Sequence, residues 1–531
     1  MNLRIDITDN YRWTNEHNSV SKQVLRRFQI SNDPATGWKH GLAGIQTMIG
    51  QARARNECLR SYGGAWSLSE VAICSDSIHD SKPLTYYGSV GRNSIIGTPL
   101  FKDDPKHLSQ RLFYVQSGCQ INQINNVFEK SKGVCLPTTG ASTGQTIAGA
   151  VSTGTHGSAL NIGAMQDYVR AIHIVKSETE HAMIQPKSNP IVKRSFSDVF
   201  GAKLITDDQL FHSALVSFGS FGVIHGIILE SVSLFMLETY CVRVDYRAVE
   251  SLYSHLVNFD QASSRNLTGF LKQLGLPSNQ DPYHLDMIIN PYSSDQNTFL
   301  RVMYKHEYDA QKLSPEPGGG TTRVGDDVLS LLGSVSDSAE GFVEGIVYDL
   351  FESVATVQAG FTQTPRNIFG DSTIYKPKKG GTSTELGVPI DKAAGAVRLV
   401  MAKARRANFA GLLGIRFVKK SPATLAFTRF SPLTCTIALP GFNSESTQNF
   451  YRKVFSEMDY AGIPFTLHWG QEGDFSPKRL MSMYGNAVNT WIDARNAFLN
   501  DPMERYMFTN DFLRRCGLSD APALIGGDVI V

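Results

Sequence analysis

The chain has no apolar run approaching the roughly 20 residues that a membrane-spanning helix needs. Its opening segment, Met1 to Val20, also lacks the apolar centre of a secretory signal, and together these two absences predict a cytoplasmic protein. Charge is nearly balanced, with 51 Lys and Arg against 49 Asp and Glu, so no basic footprint for a nucleic-acid partner is present. The seven cysteines are an odd number without C-x-x-C spacing, which predicts reduced thiols rather than a disulfide framework. None of the thirteen histidines falls in an H-x-x-x-H or H-E-x-x-H pattern, so no metal site is expected. A Rossmann dinucleotide site is disfavoured as well, because GAVSTGTHG at Gly149 to Gly157 breaks the G-x-G-x-x-G spacing.

What is present is glycine in the right company. Gly140 to Gly157, GASTGQTIAGAVSTGTHG, holds five glycines among Ser and Thr. Such a loop lets main-chain amides approach an anion closely, which points to a phosphate-bearing ligand. Upstream, Arg60 to Ser69 reads RSYGGAWSLS; downstream, Asp208 to Ile228 reads DQLFHSALVSFGSFGVIHGII, a short helix running into a strand.

In order, spacing and local chemistry these three segments resemble the vanillyl-alcohol oxidase family of flavoproteins, whose FAD-binding domain is of the PCMH type. The resemblance implies FAD as cofactor. Arg60, Ser61, Tyr62, Gly63, Gly64, Ala65, Trp66 and Ser67 would form the first cofactor loop. Gly140, Ser142, Gly149, Thr153, Gly154, His156, Gly157 and Ser158 would form the second, and Gly222 with Ile224 the later strand. Two more stretches, TELGVPIDKAA at Thr384 to Ala394 and PFTLHWG at Pro464 to Gly470, look like motifs of the sugar-alcohol, aldonolactone and type II cholesterol oxidase branch. Family members often attach the flavin through a histidine in the first loop. That position is Trp66 here, or Ala65 one register away, and neither can make the bond, so the FAD is expected to be non-covalent.

The same resemblance directs the catalytic expectations. Related alcohol oxidases carry Glu-x-Arg on a substrate-domain strand, and this chain has Gly414-Ile415-Arg416. Arg416 would stabilise developing negative charge with its planar fork, while Gly414 removes a carboxylate. His468 is the candidate proton acceptor, since histidine titrates near neutrality. Ser158 matches a position that lies beside flavin and substrate in sugar-alcohol oxidases.

With 531 residues, 42% hydrophobic and 19% charged, the chain can build two or three well-buried domains. The expected fold class is α+β. An N-terminal extension (1–40) would precede the FAD-binding domain (41–238), followed by an antiparallel-sheet substrate or cap domain (239–470) and a helical tail (471–531) packing back on the FAD domain. From 314 to 375 no family counterpart is found. Within it, Phe342, Val343, Ile346, Val347, Leu350 and Val354 have helical spacing, as for a helix packed on the cap core. The expected activity is FAD-dependent oxidation of a CH–OH group in a small-molecule alcohol, sugar or lactone. Dehydrogenation or cyclisation of a secondary metabolite, or flavin binding without turnover, are the alternatives.

Overall fold

The computed structural model describes residues 5–33, 37–90, 109–259, 264–315, 343–369 and 380–519, with two short strands at 524–525 and 528–529. Phe342 lies outside the described residues. The architecture is α+β, with three sheets that carry the cavity described below.

The first sheet has four strands in the order Ile5–Thr14, Ser21–Ile30, Ser77–Asp80, Leu59–Tyr62. The segment read as an N-terminal extension is therefore woven into it: Arg26 to Gln29 pair in parallel with Ser77 to Asp80. The second sheet runs Lys203–Thr206, His181–Gln185, Val169–Val175, Val223–Glu230, Leu112–Gln116, Tyr87–Ser89. Helix Trp38–Ala54 buries Leu42, Ile45, Met48, Ile49 and Ala52, a 3.6-residue stripe of the kind that seats a helix on a sheet. The Ile121–Val127 helix connects Leu112–Gln116 to Val134–Cys135, as the sequence suggests.

The third sheet has eight strands, all antiparallel, in the order Gln358–Gln363, Phe235–Val244, Thr298–Glu307, His284–Ile289, Leu413–Lys419, Leu433–Phe442, Gly381–Pro389, Thr466–Leu467. Phe235–Val244 crosses the 238/239 position where the substrate domain is expected to begin. Side chains alternate faces along each strand, and that alternation places the site. Leu386, Ile437 and Ile415 are register partners and join a core with Val397, Val400, Phe450 and Val454. Those four belong to helices Ala393–Ala407 and Glu445–Tyr460. One step along each strand, Glu385, Ala438 and Gly414 are partners in the adjacent row and face away from the helices.

Helix Val343–Val354 buries Val347, Leu350, Phe351 and Val354 in a cluster with Cys241, Ile288 and Phe299 of the large sheet. This is the cap-core packing expected from the helical spacing. The C-terminal helices return to the first two sheets. Asn510 donates through Nδ2 to the carbonyls of Val71 (3.1 Å) and Ile73 (2.8 Å), and Trp491 donates to Val216 O (3.1 Å). No helix among the described residues is long and apolar enough to cross a membrane, and all seven cysteines are buried thiols.

Candidate active site

A single cavity gathers all three glycine-bearing segments and the row of the large sheet that faces away from the helices. It holds about 1650 Å³ of atom-free space, its open mouth included. One wall is loop: Ser61 to Ser69, Gly140 to Ser142, Gln145 to Thr146, Ser152, Thr153, Thr155 and His156, and Phe218 with Gly219, Gly222 and Ile224. The facing wall is strand: Ser383, Glu385, Gly414, Arg416, Ala438 and Pro440, joined by His468, Gly470 and Gln471.

On the loop wall, Ser117 Oγ, Gln145 Oε1, Thr146 Oγ1 and Ser152 Oγ are buried without a hydrogen-bond partner in the protein. Buried polar atoms are rarely left this way, and a row of them along one cavity fits a ligand rich in hydroxyl and phosphate oxygens. FAD has that composition, so the residues present fit the cofactor. The turn of the N-terminal hairpin supports this wall from outside. Glu16 N donates to Ala65 O (2.8 Å) and Asn15 Nδ2 to Ser67 O (3.0 Å), while Trp13 and His17 contribute to the lining. Trp66 meets the His17 ring edge-on, with centroids 5.5 Å apart.

Ser61, Tyr62, Gly63, Gly64, Ala65, Trp66, Ser67, Gly140, Ser142, Gly149, Thr153, His156, Gly222, Ile224, Arg416 and His468 all line the cavity. Four expected site residues do not. The Arg60 guanidinium is fully buried and donates to main-chain carbonyls of Phe508 (2.8 Å), Val71 (2.9 Å), Gly219 (3.3 Å) and Phe218, which makes it a brace behind the loop. Gly154 ends the Ile147–Thr153 helix with φ +79, a left-handed conformation that glycine adopts without strain. At Gly157 an added Cβ would lie 2.2 Å from Thr138 Oγ1 and 2.6 Å from Thr139 O, so glycine there permits loop-to-loop packing. Ser158 is fully buried between strands, donating to Leu285 O and accepting from Phe417 N (3.0 Å), and its hydroxyl does not reach the cavity wall.

The strand wall is organised around Glu385, which sequence reasoning quoted within a motif but did not select. Its Oε1 lies 3.3 Å from His156 Nε2 and 3.7 Å from Arg416 Nη1, and its Oε2 accepts from Gln471 Nε2 (3.3 Å). Burial pushes this carboxyl up, yet the combined pull of His156, Arg416 and His468 is stronger and holds it well below the usual carboxylate range. A carboxylate thus stands beside Arg416 although Gly414 supplies none.

His468 is pulled down to about 4, first by burial, with Glu385 opposing. It is therefore neutral at physiological pH. Its Nδ1 accepts from Gly470 N–H (3.1 Å), so the one ring proton sits on Nε2. Ligand atoms of His156, Glu385 and His468 lie within 4.8 Å of one another, close to a metal-binding spacing. The Nε2–H of His468 and the Arg416 charge both work against a cation there.

The overall fold is that of a cholesterol oxidase from Brevibacterium sterolicum, with a TM-score of 0.67 at 11% identity, over 96% of this chain and 97% of that one. A solvent-stable cholesterol oxidase gives the same TM-score at 12% identity, over 97% and 98% of the two chains. L-gulono-1,4-lactone dehydrogenase of Mycobacterium tuberculosis is 23% identical over 482 residues, 88% of this chain and 94% of that protein. These relatives and this fold agree with the resemblance of the chain to the vanillyl-alcohol oxidase family of FAD flavoproteins. A putative D-arabinono-1,4-lactone oxidase of Neurospora crassa is 29% identical over 126 residues, but the match spans only 19% of its length. No family model matches the chain.

Proposed function

We propose that this protein oxidises a CH–OH group of a lactone or closely related polyhydroxy substrate, using non-covalently held FAD. When bound, FAD supplies the acceptor for the hydride. The loop wall would hold it through main-chain amides and the unpartnered hydroxyls of Ser117, Thr146 and Ser152. The observation that carries the reading is the facing row, where a guanidinium, a neutral imidazole and a carboxylate converge on a floor made of Gly414 and Ala438. Small residues at those two positions leave room for a substrate between the sheet and the loops.

Arg416 donates to the substrate oxygen and stabilises the negative charge that grows on it as the hydroxyl proton leaves, which lets the carbinol carbon release its hydride. His468 enters as a second donor through Nε2–H. With Nδ1 taken by Gly470, it is an orienting group rather than the proton acceptor expected from the sequence. Glu385 is held too far below neutrality to be a strong base, so the hydroxyl proton passes to water at the open mouth of the cavity while Arg416 stabilises the alkoxide-like oxygen left behind. The lactone assignment draws on the M. tuberculosis relative, whose match runs nearly end to end. Anaerobic mixing with L-gulono-1,4-lactone tests it: bleaching of the oxidised flavin band is expected, and an unchanged spectrum with that and other aldonolactones would overturn the assignment.

A further inference from the structure

The cavity wall carries a charge arrangement that dictates what kind of molecule can enter. Among the described lining residues Arg416 is the sole arginine and there is no lysine. Its Nη1 is 3.7 Å from Glu385 Oε1, and that carboxylate is 2% exposed. The neighbouring His468 adds no positive charge near neutral pH. An anionic ligand reaching Arg416 would have to displace or lie against a buried carboxylate, one oxygen of which is 3.3 Å from His156 Nε2 while the other accepts from Gln471. A neutral hydroxyl or carbonyl oxygen meets no such penalty and can still accept from the guanidinium.

We propose that Glu385 is a specificity-determining residue that cancels the Arg416 charge, so that the site accepts uncharged oxygen ligands and rejects carboxylates of the same shape. This rests on the preceding reading of Arg416 as the group that meets the substrate oxygen. It implies that a lactone is taken in preference to its ring-opened aldonate, which differs chiefly by one negative charge. Like-charge juxtaposition is an established way to exclude a competing ligand, and here it comes from a different strand than the arginine it balances.

The test measures binding to the FAD-loaded protein by perturbation of the flavin absorbance, with calorimetry as a second readout. Acetate and acetamide are the probe pair, since they share a shape and differ in charge. Wild type should bind acetate more weakly than acetamide. Glu385→Gln, which keeps the side-chain shape and frees the guanidinium, should tighten acetate by about 10- to 100-fold, the range of one charge-assisted hydrogen bond, and leave acetamide within a few-fold. Acetate binding equally to both proteins would overturn the proposal. Should Glu385→Gln not accumulate as folded protein, wild type alone decides, because acetate binding as tightly as acetamide is incompatible with a cancelled charge. L-Gulonate and L-gulono-1,4-lactone are then compared in the same way. Failure of both to perturb the flavin, with acetate and acetamide behaving as stated, would fault the lactone assignment and leave the charge rule standing.

Discussion

The two walls of the cavity are built on opposite principles. The loop wall presents backbone and hydroxyls, and from Ser61 to Ser69 and Gly140 to Ser152 it turns no charged side chain to the cavity. The strand wall places an arginine, a carboxylate and a histidine within a few ångströms of one another. Loops shaped by main-chain packing can follow a long cofactor, whereas a sheet with fixed register can hold charges at set separations. The comparison teaches that cofactor retention and turnover should be separable by mutation.

Arg416→Ala is the sharpest way to break the strand wall alone. It should leave FAD bound and slow anaerobic flavin reduction by roughly 10²–10³-fold, the range for losing one transition-state donor. Arg416→Lys should recover only part, because an ammonium lacks the planar fork. A rate within about twofold of wild type would remove Arg416 from the chemistry.

Gly157→Val attacks the opposite wall. The new side chain meets Thr138 and the Thr139 carbonyl, and such overpacking costs about 1–3 kcal/mol. Purified protein should show a lowered flavin-to-protein absorbance ratio and a lower Tm, while any holoenzyme that survives reduces at the wild-type rate. Full occupancy would show that the second loop tolerates bulk at this point.

A smaller effect is expected at His468. His468→Ala should slow reduction by about 10-fold or less, as for one neutral hydrogen bond. Because burial keeps the imidazole neutral down to about 4, the group is uncharged throughout pH 5–8, and both proteins should share the same pH profile there. A limb near pH 6.5 that vanishes in the variant would show that His468 titrates in the working enzyme. Its folded value lies below the unfolded one, so its contribution to stability is present above about pH 6.5 and is lost as pH falls towards 4.

No effect at all is expected when holoenzyme is precipitated in acid: all FAD should pass into the supernatant. Yellow colour kept in the washed pellet would reveal a covalent link that Ala65 and Trp66 cannot make.

The sequence makes the loop wall legible because each segment that lines it is contiguous and glycine-marked. Arg416 is legible for a similar reason, since period two on one strand assigns its face. Glu385 is not, because its meaning depends on Gly381–Pro389 lying two strands from Leu413–Lys419, with Leu433–Phe442 between them. That order is a long-range property no local pattern encodes. One signal was available: a lone glutamate inside an otherwise uncharged strand, GTSTELGVP. Ser158 shows the converse, since a place in the loop sequence says nothing of which way a side chain turns. The opening residues look like an extension because their parallel pairing to Ser77–Asp80 is equally remote.

The brace at Arg60 also has a consequence for the order of events in folding. Its guanidinium is satisfied by the carbonyl of Phe508, 448 residues further along the chain, and Asn510 closes over Val71 and Ile73 in the same place. Until that late segment has left the ribosome, a buried cation behind the first glycine loop lacks one of its acceptors. The brace behind the first glycine loop is therefore complete only once the segment around Phe508 and Asn510 has been made.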